Sequence, residues 1–464
     1  MRIQKILFSI VATMSLAFAS AAWSAQIVVV NFDAGTGQGF DDPTPAAPVG
    51  GNPGTTIGEQ RLNVFQVAAQ SWGDTLQSNV PIFLAAFFQP LDCTENSAVL
   101  GSAGPLQVFA NFPGAPLSNV WYYGALADSI AGVDLDEVSF DMVARFNGDI
   151  GINPNCLVGQ SWYNGYDHSN DPASEVDLLS VVMHEFAHGL GNLEIVSEAD
   201  GSLFILPDVY MLNMYDTTTG KGWGDMTDAE RLASQVNSGN LVWTGASVTA
   251  DAPMVLGPRP SVVALNPKGV TGSYEAQQAS YGPGLRENGG TTGKMVVVDD
   301  GVGVGSDGCE PIQNNVRGKI ALIDRGACSF ALKSAYAQLA GAKGVIVVNN
   351  QPTGLAPMGG SELIPMTIPS VGMSNADGSA LKAAAARNSV AKLILDGNFK
   401  AGMQDGFVRL YAPNPVAPGS SKSHWDTSAT PNLLMEPFIN DDLAPTIFLD
   451  LTPNLFEDIG WTLQ

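Results

Sequence analysis

Residues 174–192 read SEVDLLSVVMHEFAHGLGN, and the fold prediction starts from this stretch. Ser174 and Asp177 have the spacing of a capping box at the start of a helix. The apolar residues that follow are spaced to form one helical face: Leu178, Val181 and Val182. The pattern therefore predicts a helix from Glu175 to about Gly189.

The same stretch contains an HExxH motif made of His184, Glu185 and His188. Histidines four residues apart project from one helix face, so both imidazoles can bind one Zn²⁺ ion at about 2 Å. Zinc lowers the pKa of its bound water to about 7, and Glu185 is placed to take a proton from that water. The chain has only four histidines, which makes a chance pair at this spacing improbable.

A catalytic zinc normally has a third protein ligand, and two residues compete for that role. Glu194 stands where the metzincin pattern HExxHxxGxxH has its third histidine, and Gly191 matches the glycine of that pattern. His424 lies 236 residues beyond His188 and requires a folded insertion between them. His168 lies among turn-forming residues and is predicted to be a surface loop residue.

Three later segments carry a resemblance to a known family. SHWD at 423–426, LLMEP at 433–437 and LFEDIGW at 455–461 resemble the end of the leishmanolysin-type metzincin peptidases. That resemblance implies that His424 is the third zinc ligand and that Met435 is the Met-turn residue. Two earlier methionines, Met211 and Met214, are then predicted to pack in the core.

Residues 291–398 alternate apolar strands with polar turns, as a small α/β domain does. The segment GKIALIDRGACSFALKSAYAQLAGAKGVIVVNN at 318–350 resembles the protease-associated (PA) domain, over roughly 255–400. A GxGxxG pattern at 303–308 is followed by Cys-Glu-Pro and not by a helix, so a dinucleotide site is not expected. The resemblance implies that this domain covers the cleft or helps to hold protein substrates.

The charge distribution supports a division of the chain. The 464 residues carry a net charge of −24, which argues against nucleic acid as a partner. Residues 26–250 hold 26 acidic and four basic side chains, whereas 251–464 hold 19 and 15. This step suggests a joint near residue 250.

Residues 1–25 have the pattern of a cleaved secretory signal, with Arg2 and Lys5 before an apolar run and small residues after it. The apolar run is too short to span a bilayer, and no later segment is apolar enough to do so. The sequence thus predicts a secreted or periplasmic protein. In such a protein the four cysteines can pair in three ways, and pairing within each unit joins Cys93 to Cys156 and Cys309 to Cys328.

These observations predict an α+β protein with a discontinuous zincin/metzincin-type catalytic domain and an inserted α/β PA domain. The predicted units are the signal 1–25, the first catalytic part 26–250, the PA domain 251–402 and the second catalytic part 403–464. In the catalytic unit, 57–76 are predicted to form a helix and 80–91 the strand after it.

The resemblance implies a zinc-dependent endopeptidase that acts on protein or peptide substrates with Glu185 as general base. Two alternatives stay open: a non-catalytic binding protein that works through its PA domain, and a zinc hydrolase of non-peptide substrates. The sequence does not fix the oligomeric state, the cleavage specificity, calcium binding or the control of activity.

Overall fold

The computed structural model describes residues 23–266, 269–438 and 449–464. The predicted export signal lies outside these residues except for its last three positions. In the described residues, no helix is both long enough and apolar enough to cross a membrane. The fold mixes helices and sheets, in agreement with the predicted α+β class.

The helices and strands are numbered in chain order. The α-helices are α1 (Ile57–Thr75), α2 (Gly124–Ala131), α3 (Leu178–Leu190), α4 (Asp228–Ser234), α5 (Ala246–Val255), α6 (Phe330–Leu339), α7 (Asn375–Ala385) and α8 (Thr452–Ile459), with 3₁₀ turns at Gly39–Asp41, Met211–Asn213 and Trp223–Asp225. The strands before the PA domain are β1 (Ile27–Asn31), β2 (Ile82–Gln89), β3 (Cys93–Thr94), β4 (Ser97–Ala98), β5 (Gly101–Pro105), β6 (Val108–Phe109), β7 (Tyr122–Tyr123), β8 (Met142–Asn147), β9 (Ser161–Tyr163), β10 (Glu175–Asp177), β11 (Met214–Asp216), β12 (Lys221–Gly222) and β13 (Leu241–Trp243). The later strands are β14 (Pro258–Asn266), β15 (Gly272–Glu275), β16 (Gln277–Gln278), β17 (Thr291–Val297), β18 (Ile320–Asp324), β19 (Gly344–Val348), β20 (Ser370–Met373), β21 (Val390–Lys400), β22 (Met403–Gln404) and β23 (Phe407–Arg409).

A four-stranded sheet with the order β1-β2-β8-β5 lies beside α1 and α3. Strand β2 reads IFLAAFFQ and is mostly buried, because it is flanked by β1 and β8 in parallel pairing. Strand β5 runs antiparallel to β8 at the edge of the sheet and contacts α3. Helix α1 and strand β2 agree with the predicted helix and strand.

Helix α3 begins three residues later than predicted. Residues Glu175–Asp177 form β10, which pairs in parallel with β9, and the helix starts at Leu178. Asp177 caps the helix by accepting the Leu179 N–H, so the predicted capping box that begins at Ser174 is wrong. The strand pairing gives residues 175–177 a tertiary partner, and this overrides their local helical pattern.

The two parts of the chain on either side of the PA domain share one sheet and one core. The five-stranded sheet β12-β11-β13-β23-β22 brings β13, before the insertion, alongside β23, after it. The carboxyl-terminal segment also returns to α1, since Leu76 and Leu463 form a β-bridge. One apolar core cluster accordingly includes residues from Ala25 to Leu256 and again from Val408 to Trp461.

The inserted unit is built on an eight-stranded sheet with the order β15-β14-β21-β17-β18-β19-β20-β16. Its strands β17, β18, β19 and β20 run parallel, and two further core clusters belong to this unit alone. The predicted boundary at 250/251 falls inside α5, which packs on α8 of the catalytic unit. The insertion therefore starts after Val255, a few residues later than the charge step indicated.

The structure pairs Cys93 with Cys156 and Cys309 with Cys328, as the sequence predicted. The first bridge holds the β3–β4 hairpin, next to the edge strand β5, to the loop after β8. The second lies within the inserted unit.

Candidate metal centre

Three histidine side chains from distant parts of the chain meet at one point. His184 and His188 project from α3, and His424 comes from the loop after β23. The Nε2 atoms of His184 and His188 are 3.1 Å apart, those of His184 and His424 are 3.1 Å apart, and those of His188 and His424 are 3.2 Å apart. The three nitrogens thus form a nearly equilateral triangle.

The other ring nitrogen of each histidine fixes the tautomer. His184 Nδ1 is 2.7 Å from the Leu434 carbonyl, and His188 Nδ1 is 2.7 Å from the Asn192 carbonyl. His424 Nδ1 is 2.8 Å from the Ser420 carbonyl. A carbonyl oxygen only accepts, so each Nδ1 carries the proton and each Nε2 presents a bare lone pair.

Burial keeps all three rings neutral. It lowers the pKa of His184 to about 4 and that of His188 to about 3, and it lowers the pKa of His424 well below its usual value. Three lone pairs that converge at this distance without a proton between them repel one another unless a cation lies among them. Edges of 3.1–3.2 Å also suit three nitrogens that each lie about 2 Å from one ion, so the residues fit a zinc ion.

The segments that resemble the peptidase family lie together around this triangle. The Trp425 N–H donates to the Met435 carbonyl over 2.8 Å, and the preceding carbonyl, of Leu434, accepts from His184. Met435 itself is fully buried. The indole N–H of Trp461 donates to the carbonyl of Leu190, the last residue of α3.

Glu185 lies between helix α3 and the edge strand β5. Its side chain is buried, and it accepts a hydrogen bond from the backbone N–H of Ala103. Burial raises the pKa of Glu185 to about 8, against the opposing effect of that hydrogen bond. The strand approaches closely at Gly101, where an added Cβ would lie 2.8 Å from Glu185 Cγ.

Glu194 does not join the three histidines. Its Oε1 is 3.0 Å from the Nζ of Lys422, and both side chains are buried. Burial raises the pKa of Glu194 to about 7, while Lys422 acts in the opposite direction. The geometry therefore does not support the alternative prediction of Glu194 as the third ligand.

The remaining sequence predictions have mixed outcomes. His168 is not on the surface: its side chain is 12% exposed and its Nδ1 contacts Asp177, the cap of α3. Met211 and Met214 are fully buried in the core, as predicted. The glycine-rich loop at 303–308 is followed by turns up to β18 and not by a helix, which agrees with the absence of a dinucleotide fingerprint.

The three histidines and Glu185 open into a cleft of about 780 Å³. One wall contains residues 97–103, which include the start of β5, and another contains residues 418–421 beside His424. Among the described residues, those that line the cleft all come from the catalytic unit and none from 258–400. The described part of the inserted domain therefore does not form a wall of this cleft.

Sequence reasoning missed several residues that hold the site together. Asn192 donates through Nδ2 to the Ser423 carbonyl while its own carbonyl accepts from His188, so it joins the end of α3 to the His424 segment. The N–H of Leu434 donates to Asp450, which also accepts the N–H of Thr452 at the start of α8. The contact of Asn192 with Ser423 joins residues 231 positions apart, and that of Leu434 with Asp450 joins residues 16 apart, so neither follows from a local sequence pattern. The sequence gave one local signal beside Asn192, because Gly191 matches the glycine of the metzincin pattern, and in the structure this glycine has a φ of 121°.

A second group of side chains in the described residues has metal-ligand types, namely Asp300, Asp307 and Glu310 in the inserted unit. The ammonium of the buried Lys333 lies beside it and donates to the Asp307 carbonyl over 2.5 Å. This lysine already supplies a positive charge next to the three carboxylates.

Comparison with known proteins identifies the inserted unit. A family model described as the PA domain matches residues 262–381. A PII-type proteinase of Lactococcus lactis subsp. cremoris is 31% identical over 159 residues, which is 34% of this chain and 7% of that protein. Leucine aminopeptidase 2 of Trichophyton rubrum is 48% identical over 68 residues, and vacuolar-sorting receptor 2 of Arabidopsis thaliana is 30% identical over 145 residues.

The aminopeptidase match covers 14% of this chain and 13% of that protein, and the receptor match covers 28% and 23%. Among solved structures, a zinc aminopeptidase from Bacillus subtilis is 23% identical, with coverage of 32% and 35% and a TM-score of 0.23. An aminopeptidase from Aneurinibacillus sp. strain AM-1 is 26% identical, with coverage of 31% of each chain and a TM-score of 0.22. The chain thus contains a PA domain, and it spans only a small part of the relatives that it matches.

Proposed function

We propose that the protein is an exported zinc-dependent endopeptidase of metzincin type, with zinc held by His184, His188 and His424. The convergence of three neutral imidazoles, each with its Nδ1 on a backbone carbonyl, is the observation that carries this proposal. The Glu185 carboxyl in the same cleft supplies the acid–base group that hydrolysis needs. The alternative functions lack a comparable observation.

The chain's own residues supply binding and proton transfer. A zinc ion held by the three Nε2 atoms would act as a Lewis acid and lower the pKa of a water molecule. Glu185 accepts a proton from the attacking water and later donates it to the leaving amine. The position of Glu185 suits both steps, because the Ala103 N–H holds its buried carboxyl in the cleft that the three histidines also line.

Edge strand β5 supplies the surface for the peptide. It pairs on one side with β8 and borders the cleft on the other. Its backbone groups on the cleft side, apart from the Ala103 N–H that donates to Glu185, are therefore available to an extended chain. The PA domain is consistent with this function, because a proteinase and an aminopeptidase are among the proteins that match part of the chain. A sorting receptor matches as well, so the histidine triad is the stronger support.

The test combines zinc content with cleavage of an unfolded protein. We expect Glu185→Gln to retain one zinc per chain and to lose cleavage by about 10²- to 10⁴-fold, the usual contribution of a general acid–base group. His424→Ala should lose zinc, while Glu194→Gln should keep it. Retained cleavage in Glu185→Gln, or zinc loss only in Glu194→Gln, would contradict the assignment.

Peptides with acetylated amino termini and amidated carboxyl termini separate the activities. Internal cleavage of these peptides that stops on addition of a zinc chelator supports an endopeptidase. Release of residues only from unblocked amino termini indicates an aminopeptidase instead. Zinc binding without cleavage of any peptide favours the binding protein, and cleavage restricted to non-peptide esters favours the third alternative.

A further inference from the structure

The ring of His184 is oriented by a segment without regular secondary structure. Its Nδ1 donates to the Leu434 carbonyl over 2.7 Å, and this contact sets the direction in which Nε2 points. Residues 431–438 form turns and bends and belong to no helix or strand, so no ladder of backbone hydrogen bonds holds that carbonyl. The position of Leu434 must therefore come from individual contacts.

The side chain of Asp450 supplies one of these contacts. Its Oδ2 accepts a hydrogen bond from the Leu434 N–H, and its Oδ1 accepts from the N–H and the hydroxyl of Thr452 over 2.9 and 2.8 Å. The two carboxylate oxygens thus bind different parts of the chain: one binds the segment that orients His184, and the other binds the start of α8. Leu434 stands between Asp450, which holds its N–H, and His184, which donates to its carbonyl.

Helix α8 is a fixed support for this contact. Its Asp458 accepts from the indole N–H of Trp243 in β13 over 2.9 Å. Its Phe456 packs edge to face with Trp72 of α1, at 5.1 Å between the ring centroids. Because α8 is held to two other elements of the catalytic unit, the residue just before it, Asp450, can hold the Leu434 segment in one position.

The chemistry of Asp450 is specific to a carboxylate. Its φ is 51°, in the left-handed region, which Asp and Asn adopt more readily than most residues. A carboxylate offers two acceptor oxygens, whereas the amide of Asn offers one oxygen and an NH2 group that only donates. In Asp450→Asn, the N–H of either Leu434 or Thr452 must therefore face an NH2 group and lose its partner.

We propose that Asp450 is a positioning residue for the zinc site: it fixes Leu434, and Leu434 orients the imidazole of His184 toward the metal. This inference rests on the proposed zinc-dependent function. Removal of a group that orients a metal-binding histidine lowers metal affinity by about 10- to 100-fold. Asp450 acts through one further residue, so its effect lies at the lower end of this range, at about tenfold.

The test measures zinc affinity by competition with a chelator, and the ring N–H signals of the histidines by NMR. The chain has four histidines, so full-length protein labelled with ¹⁵N only in histidine gives few signals. We expect Asp450→Asn to bind zinc about tenfold more weakly and to shift the Nδ1–H signal of His184 more than those of His188 and His424. Asp450→Ser should have the same effect, because its hydroxyl can still accept from the Thr452 N–H but is one bond too short for Leu434.

Asp216→Asn is the matched control. Asp216 is buried in the catalytic unit, and its Oδ1 accepts from the N–H groups of Thr218 and Thr219 over 2.9 and 3.0 Å. Among the described residues, none of its hydrogen-bond partners belongs to the metal site. We expect this variant to keep the zinc affinity and the histidine signals of the wild type.

The outcomes separate the role of Asp450 from the proposed function. Unchanged zinc affinity and an unchanged His184 signal in the Asp450 variants would overturn the positioning role, and so would an equal loss in Asp216→Asn. Failure of both Asp450 variants to fold, with Asp216→Asn folded, would show a role in overall stability instead. Absence of zinc binding by the wild type would overturn the proposed function itself.

Discussion

At the scale of single residues, the position of Glu185 depends on a glycine in the neighbouring strand. The added Cβ of Gly101→Ala would lie 2.8 Å from Glu185 Cγ and 3.1 Å from its Oε1, so the carboxyl must move. We expect this variant to keep its zinc and to lose about 100-fold in kcat, because displacement of a catalytic group by about 1 Å has an effect of that order.

The same strand offers a control for this prediction. At Gly104 nothing lies within 4 Å of an added Cβ, so Gly104→Ala changes the strand without touching Glu185. The comparison requires zinc content and kcat for both variants. Equal loss of activity in the two would show that the strand, and not its contact with Glu185, is responsible.

The buried pair of Glu194 and Lys422 gives a second residue-scale prediction. Lys422→Met leaves Glu194 buried without its cation, and we expect the free energy of unfolding to fall by about 3–5 kcal/mol. Adding Glu194→Gln removes the remaining charge and should restore most of that loss. Urea unfolding of the single and double variants measures the difference, and a double variant as unstable as Lys422→Met would contradict the explanation.

At the scale of elements, helix α3 shows which features of this site the sequence can predict and which it cannot. The spacing of His184 and His188 follows from helical geometry alone, so the sequence predicted that they share a face. The start of the helix was predicted too early, because the pairing of β10 with β9 is a tertiary contact. The role of Gly101 was not predictable for the same reason: its contact with Glu185 joins two elements that are 84 positions apart.

The third histidine, His424, shows the same limit of prediction from local sequence patterns. No periodicity connects His424 to α3, and only the resemblance of the surrounding segments indicated it. The structure explains why a resemblance was needed. His424 is held by backbone contacts to Ser420 and Tyr411, and its segment is joined to α3 through Asn192, so its position depends on the folded chain around it.

Two helix caps allow a prediction about α3 as an element. Asp177 caps α3 and also accepts from the Ser180 hydroxyl, whereas Thr227 caps α4 in a capping box with Glu230. We expect Thr227→Ala to reduce the free energy of unfolding by about 1 kcal/mol and Asp177→Ala to reduce it by more, because Asp177 also contacts Ser180 and His168. Only Asp177→Ala should also weaken zinc binding, because α3 carries two of the three histidines. Zinc affinity and urea unfolding of both variants test this, and unchanged zinc affinity in Asp177→Ala would show that the cap does not reach the metal site.

At the scale of the whole molecule, the chain leaves and re-enters the catalytic unit at one place. The Ala401 N–H donates to the Gly257 carbonyl over 3.0 Å, so the two ends of the inserted unit are adjacent. The catalytic core is continuous across this joint, since β13 and β23 pair and their residues share one apolar cluster. The two parts of the chain outside the insertion thus fold as one unit.

This arrangement predicts the effect of removing the PA domain. Replacing residues 258–400 by a short glycine-serine linker joins two ends that already touch, and it removes no described residue that lines the cleft. We therefore expect the shortened protein to keep its zinc and its kcat/KM for short peptides. The main loss within the catalytic unit is the ion pair of Arg409 with Glu275 of β15, 2.6 Å long in the intact protein. Glu275→Ala in the full chain is the control for that loss. The measurements are the zinc content and the peptide cleavage of both proteins. If the shortened protein loses zinc while Glu275→Ala keeps it, the PA domain stabilises the metal site through more than this ion pair.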